Sequence, residues 1–201
     1  MTGRDLDVSR ETMNRLEVFQ ELLVKWNARI NLVSRSSLGD LWSRHIADSV
    51  QVFQVAPSGT KWVDLGSGGG FPGLIVAILA KEERPDLKVT LIESDQRKSA
   101  FLRTVARETG ISCTVISERI EKAEKQAADI ISARALADLT DLLALSERHL
   151  VKGGTLLFPK GVTWQKELES AQTQWCFEVE VIESQTMPGA AILKIEGASR
   201  V

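Results

Sequence analysis

Val63-Asp64-Leu65-Gly66-Ser67-Gly68-Gly69-Gly70-Phe71-Pro72-Gly73 joins a short apolar run, WVDL (62–65), to a longer one of helical character, PGLIVAILA (72–80). Four of the five residues from 66 to 70 are glycine. Glycine turns the chain tightly and lets a ligand approach the backbone where a Cβ would otherwise intrude. Pro72 suits the first turn of a helix, because the N–H it lacks has no partner there. A strand, a glycine turn and a helix in this order form the element at which open α/β sheets bind nucleotides, at the carboxyl end of a strand.

Downstream of the turn, strand-like and helix-like stretches alternate. KVTLIE (88–93) reads as a strand and 95–110 as a helix closed by Gly110. SCTVIS (112–117) and DIIS (129–132) read as strands, 138–149 as a helix and GTLLFP (154–159) as a fifth strand. Such alternation predicts βαβ units and a parallel sheet with helices on both faces. The end departs from it: a helix near 163–174 precedes FEVEVIES and AAILKIE, two strand-like runs separated by TMPG. They predict a terminal hairpin, and with it an antiparallel strand in a mostly parallel sheet of seven.

Upstream, Leu16, Phe19, Leu23, Trp26 and Ile30 recur at helical spacing, with Ser9 as the predicted N-cap. A second amphipathic helix is expected from Ser37 to Gln54, with Leu38, Leu41, Trp42, Ile46, Val50 and Phe53 inward. Ala56-Pro57-Ser58-Gly59 ends it. The expected organisation is therefore a helical extension, 1–59, ahead of a compact core, 60–201.

Composition narrows the possibilities. An apolar fraction of 43% and a charged fraction of 26% over 201 residues describe a globular chain rather than a disordered one. No apolar stretch has the length needed to cross a bilayer, and the polar start MTGRDLDVSRET lacks the apolar centre of a signal peptide, so a cytoplasmic protein is expected. Two cysteines far apart and two histidines suggest neither a disulfide framework nor a metal site. The net charge of −2 does not advertise a nucleic-acid binder. Arg29, Arg35 and Arg44 nevertheless cluster between the two N-terminal helices, and Arg97, Lys98, Arg103 and Arg107 recur on a later one. Each group fits either a solvated face or a local positive patch.

The identity of the nucleotide is open at the level of the turn. Gly68-x-Gly70-x-x-Gly73 satisfies the dinucleotide fingerprint, and Glu93, twenty residues after Gly73, stands where an acid binds a ribose. A nicotinamide or flavin oxidoreductase is one reading. The other is S-adenosylmethionine, because Asp64-Leu65-Gly66-Ser67-Gly68 resembles motif I of class I methyltransferases and the chain ends in a helix and hairpin as they do. Glu93 serves either ligand. The usual marks of methylation at difficult atoms are missing. No cysteine follows Pro or Thr, and Ser132-Ala133-Arg134-Ala135 stands where exocyclic-amine enzymes carry Pro-Pro-aromatic. An acceptor atom with a free lone pair, such as guanine N7, requires only alignment and electrostatics.

Over nearly its whole length the chain resembles the bacterial small-subunit ribosomal RNA methyltransferase G family, also called glucose-inhibited division protein B. The resemblance rests on LVKWNARINL (23–32), Arg44-His45-Ile46-Ala47-Asp48-Ser49, Phe71-Pro72-Gly73, Ser132-Ala133-Arg134-Ala135 and Pro159-Lys160-Gly161. It implies a Rossmann-like class I methyltransferase that uses S-adenosylmethionine to methylate N7 of a guanine in the 530 loop of 16S rRNA, with the 30S subunit or a precursor as partner. Carried over by position, Gly66, Gly68, Gly70 and Phe71 contact the cofactor from the turn, and Glu93 takes the ribose. Ile120 and Glu121 lie along the adenine, and Arg134 near the methionine or the target base. Phe71 and Ile120 also suit simple packing, and Glu121 a charged surface. Arg29, Arg35, Arg44 and Lys160 are candidates for RNA contact, Lys160 equally for plain solvation. His45 reads as a buried, hydrogen-bonded histidine, and Arg44 and Asp48 as an i, i+4 pair. A methyltransferase acting on a small molecule, with the N-terminal helices as a lid, and a non-catalytic RNA-binding or division factor are the remaining alternatives.

Overall fold

The computed structural model describes residues 6–34 and 37–201. Helix α1 spans Arg10–Asn27, and its N-cap is Ser9, whose hydroxyl accepts the Thr12 N–H at 3.0 Å. A π-helical turn, Leu41–Ile46, runs into α2, Ala47–Gln54. Then follow β1 (Lys61–Leu65), α3 (Gly73–Glu83), β2 (Lys88–Ile92), α4 (Gln96–Thr109), β3 (Cys113–Ile116) and β4 (Ala128–Ala133). The chain closes with α5 (Leu139–Glu147), β5 (Leu150–Lys160), α6 (Trp164–Gln172), β6 (Trp175–Glu183) and β7 (Ala191–Arg200).

The seven strands form one sheet in the order β3-β2-β1-β4-β5-β7-β6. β1 to β5 pair in parallel, while β7 pairs antiparallel with both β5 and β6. The expected fold class is therefore observed, hairpin included. Successive strand residues point to opposite faces, and the core divides accordingly. Trp62, Leu91, Ile130, Leu157 and Ile192 face α1 to α4. Their neighbours Val63, Ile92, Ile131, Leu156 and Leu193 face α5 and α6. Leu16, Phe19 and Leu23 of α1 are fully buried in the same cluster as Phe71, Leu74 and Phe101. Among the described residues no helix is long and apolar enough to cross a membrane.

The second helix departs from expectation. It starts at Leu41 rather than Ser37, and it opens with i→i−5 hydrogen bonds, such as Ala47 N–H to Trp42 C=O. That spacing stacks residues five apart, so Leu41 and Ile46 share the buried face. In an α-helix the two would diverge. Pro72, for its part, is the N-cap of α3 rather than a residue of its first turn.

Candidate functional site

Leu65 pairs with Ile92 on one side and with Ala133 on the other, so β1, β2 and β4 end level. Gly66, Glu93 and Arg134, the residues that follow these three ends, are therefore brought together. They lie where strand order reverses between β1 and β4, the place at which such sheets form a crevice.

The glycine turn and Glu93 are tied to each other. Glu93 is buried; one carboxylate oxygen accepts the Gly68 N–H at 2.8 Å and the other the Asp95 N–H at 2.7 Å. Each oxygen keeps lone pairs for a further donor. Gly68 has φ +50°, and a Cβ there would meet no protein atom closer than 3.7 Å, so it would project into free space beside the turn. At Gly73 the situation is reversed: a Cβ would come within 2.4 Å of Leu91 and 2.6 Å of Asp64. Gly73 thus permits close helix–strand packing, while Gly68 leaves room for a ligand. Beneath them, Asp64 is fully buried and accepts from the Ser132 hydroxyl at 2.7 Å, which itself accepts from the Trp62 indole N–H at 2.8 Å. Burial raises the Asp64 carboxyl to about 6, against the pull of Ser132, Ser67, Gly73 and Arg134. Its Oδ2 faces the start of α3 and closes no hydrogen bond of normal geometry.

A cavity of about 400 Å³ opens over this turn, within the range that holds a nucleotide-sized ligand. Seven of the eight expected cofactor residues line it: Gly66, Gly68, Phe71, Glu93, Ile120, Glu121 and Arg134. Gly70 does not; a Cβ there would collide with Leu74, so its work is inside the turn. Ile120 is also buried, and its carbonyl accepts from His149 Nε2 at 2.9 Å. Leu32, Val33 and Arg119 line the cavity without having been expected there, and Lys98, read from the sequence only as one of a charged group, lines it too. The first two had a signal in the quoted LVKWNARINL: Asn27 Oδ1 accepts the N–H groups of Leu32 at 2.8 Å and Val33 at 3.0 Å, folding that loop onto the cavity wall.

A second cavity, about 640 Å³, adjoins the first and shares Leu32, Val33, Arg134 and Ala135 with it. Arg134 stands at the junction. Its guanidinium lies 4.8 Å from the centre of the Phe71 ring, and Nη1 is 3.4 Å from Asp48 Oδ2. Burial works against both charges, lowering the arginine and raising the carboxylate, while each partner pulls the other back. Asp48 thus pairs with Arg134 rather than with Arg44, as the i, i+4 spacing had suggested. The Thr186 hydroxyl donates to its other oxygen at 3.3 Å.

His45 is half-buried, and its ring lies 5.1 Å from Phe71 at 30°, with no hydrogen-bond partner on either nitrogen. It is therefore an aromatic-packing residue, not the hydrogen-bonded histidine expected. Burial and the charges of Arg134 and Arg44 lower it to about 4, so it is neutral near pH 7. Arg44 is exposed on the rim of the second cavity. Lys160 does not project to solvent: its side chain is 8% exposed, and Nζ donates to Ala137 O at 2.9 Å and to Glu167 at 2.7 Å. Arg29 is exposed beyond the cavity walls, and Arg35 lies outside the described residues. Among the described residues no group of three or more His, Cys, Asp or Glu is arranged to hold a metal ion.

Residues 12–192 match the rRNA small subunit methyltransferase G family. The chain belongs to that family. The rRNA small subunit methyltransferase G of Ruegeria pomeroyi is 63% identical over 196 residues, covering 98% of this chain and 96% of that protein. The protein of the same name from Ruegeria sp. strain TM1040 is 60% identical over 197 residues, with the same coverage. Solved structures agree at the level of fold. A SAM-dependent methyltransferase from Aquifex aeolicus matches with a TM-score of 0.60 at 15% identity, over 88% of this chain and 97% of that one. The 16S rRNA N2 G1207 methyltransferase of T. thermophilus matches at 0.53 and 17%, over 74% of this chain and 38% of that one. Family and topology together remove the oxidoreductase reading, since the dinucleotide fold runs 3-2-1-4-5-6 without an inserted antiparallel strand.

Proposed function

We propose that this chain transfers the methyl group of S-adenosylmethionine to N7 of a guanine in the 530 loop of 16S rRNA. It does so in the cytoplasm, on the 30S subunit or a late precursor, and without a metal ion. One observation carries the reading: the cavity over the glycine turn adjoins a second and larger one, and the two share Leu32, Val33, Arg134 and Ala135 as walls. Two reactants then meet at a single junction.

The donor set fits the cofactor. Glu93, already fixed by two backbone N–H groups, has lone pairs left for two ribose hydroxyls, and Gly68 leaves the backbone open to close approach. Ile120 offers an apolar edge for an adenine, with Glu121 beside it. When bound, S-adenosylmethionine supplies a methyl group already activated by its positive sulfur, a task that needs no Lewis acid.

Guanine N7 carries a lone pair and no proton, so no residue has to act as a base. The lining agrees with that chemistry. His45 stays neutral, Asp48 is engaged with Arg134, and Lys160 is engaged with Glu167. What remains for the chain is alignment and shielding. Phe71, packed edge-on against Phe19 at 5.2 Å and under the Arg134 guanidinium, keeps that guanidinium at the junction, where it donates to the methionine carboxylate or to the target base. Calorimetry with S-adenosylhomocysteine and with NADH tests the cofactor, and mapping of 7-methylguanosine in 16S rRNA with and without the gene tests the product. Tight NADH binding, or an unchanged methylation pattern, would overturn the reading.

A further inference from the structure

Two consecutive residues hold one wall of the first cavity from behind. Ile120 and Glu121 line that cavity from the stretch between β3 and β4. The Ile120 carbonyl accepts from His149 Nε2 at 2.9 Å, and the Glu121 carbonyl accepts from Arg148 Nη1. Arg148 caps α5, and His149 leads into β5. Two neighbouring side chains thus reach two neighbouring peptide groups far away in sequence. His149 itself stands on a fixed base. Its N–H donates to Ser146 O at 2.9 Å, and its carbonyl accepts at 2.7 Å from the N–H of Ala128, the first residue of β4.

The imidazole is fully buried, and its Nδ1 has no hydrogen-bond partner among the described residues. A carbonyl only accepts, so the proton of the neutral ring is on Nε2. Burial favours that neutral form. An apolar side chain would fill the same space without leaving a buried nitrogen unpaired, so what the imidazole adds is the donor. The peptide between Ile120 and Glu121 is trans, and its N–H points opposite to its C=O. Fixing the Ile120 carbonyl therefore fixes the direction of the Glu121 N–H as well. We infer that His149 is a positioning residue for the cofactor: through the Ile120 carbonyl, with Arg148 on the next one, it sets the edge that meets the adenine, a role that rests on the reading in which the adenine lies along Ile120 and Glu121. Neither side chain lines the cavity, so both act at one remove.

Calorimetry and steady-state rates test this role. Wild type must bind S-adenosylhomocysteine, and Glu93→Ala must bind it less well; failure there would overturn the placement of the cofactor and the role of His149 with it. His149→Leu keeps apolar bulk and loses the donor. It should weaken S-adenosylhomocysteine binding roughly fivefold and raise KM for S-adenosylmethionine by a similar factor. Its kcat and its KM for 30S subunits should stay within about twofold, since the edge is met alike in ground and transition states. His149→Gln, whose amide keeps a donor, should recover most of the affinity. Arg148→Met, at a half-buried position, should shift the cofactor constants in the same direction, and it carries the test if His149→Leu does not fold. Wild type should also prefer S-adenosylhomocysteine to S-inosylhomocysteine, in which an oxygen replaces the adenine amine, and His149→Leu should narrow that preference. The binding measurements do not depend on which RNA accepts the methyl group, so failure of the proposed transfer and failure of this role are read separately. Unchanged cofactor constants in a folded His149→Leu or Arg148→Met, or an equal loss in His149→Gln, would overturn the role. So would a fall in kcat as large as the rise in KM, or an undiminished preference for adenine.

Discussion

Glu93 fixes the glycine turn from one side and faces the cavity from the other, because its oxygens already hold the Gly68 and Asp95 N–H groups. Glu93→Ala should weaken S-adenosylhomocysteine binding by about 1.5–3 kcal/mol, the scale of hydrogen bonds to a charged group. The turnover rate should fall less, since ribose contacts differ little between ground and transition states. Calorimetry and initial rates separate the two, and a collapsed rate at unchanged affinity would assign Glu93 to the chemistry. His45 makes a prediction of a different sign pattern. Its pKa is lowered from 6.5 to about 4 in the folded chain. Below pH 6.5 the unfolded chain takes up a proton that the folded chain refuses, so the contribution of His45 is present above that pH and lost as pH falls toward about 4. Asp64, raised from 3.8 to about 6, acts oppositely and favours the folded state as pH falls through the same interval. His45→Phe should therefore gain stability relative to wild type below pH 6.5, read by urea unfolding across pH, and Asp64→Asn should gain it above about 6. Coincident curves for wild type and both variants would contradict these environments. That Glu93 and Gly68 come together was legible because strand ends and the glycine turn follow from backbone spacing. The Asp48–Arg134 pair was not, because it joins residues 86 apart in sequence that only the folded sheet brings together.

The elements were read more fully than their contacts. Each strand and helix of the core was anticipated within a few residues, since apolar runs, Asp95 at an N-cap and Gly110 at a C-cap are local signals. The π-helical turn was not, because i−4 and i−5 hydrogen bonds make the same demands on composition. Only the five-residue separation of Leu41 and Ile46 hints at it. The junction of α3 with β1 and β2 carries its own test. Gly73→Ala puts a Cβ against Leu91 and Asp64, where something has to move, and should cost about 1–3 kcal/mol of stability, as overpacked sites do. Denaturant unfolding reads the loss directly. An unchanged midpoint would mean that the helix–strand contact is looser than its geometry states.

At the scale of the whole molecule, charge and shape have to be weighed together. A net charge of −2 gives little general attraction to phosphate. On the proposed reading, affinity comes from a shaped surface, for which the surroundings of the second cavity, with Arg44 exposed, are the candidate. If Arg44 contacts phosphate as proposed, Arg44→Glu should reduce transfer to RNA by roughly tenfold while sparing S-adenosylhomocysteine binding, because an attraction is turned into a repulsion. Equal transfer would remove Arg44 from the RNA surface. Removing residues 1–55 is a poorer test, since Leu16, Phe19 and Leu23 are buried against the core and their loss would uncover it. Ribosomal RNA as the substrate class was legible only through the family motifs, because a net charge of −2 does not announce RNA. The central claim, methylation of guanine N7 on a folded ribosomal surface, is tested most directly by a tritiated-methyl assay. It compares 30S subunits, naked 16S rRNA and an isolated 530-loop hairpin, with the labelled nucleoside identified. The account predicts 7-methylguanosine, formed far faster on the subunit or a late precursor than on the hairpin. Equal labelling of all three, or any other methylated nucleoside, would contradict it.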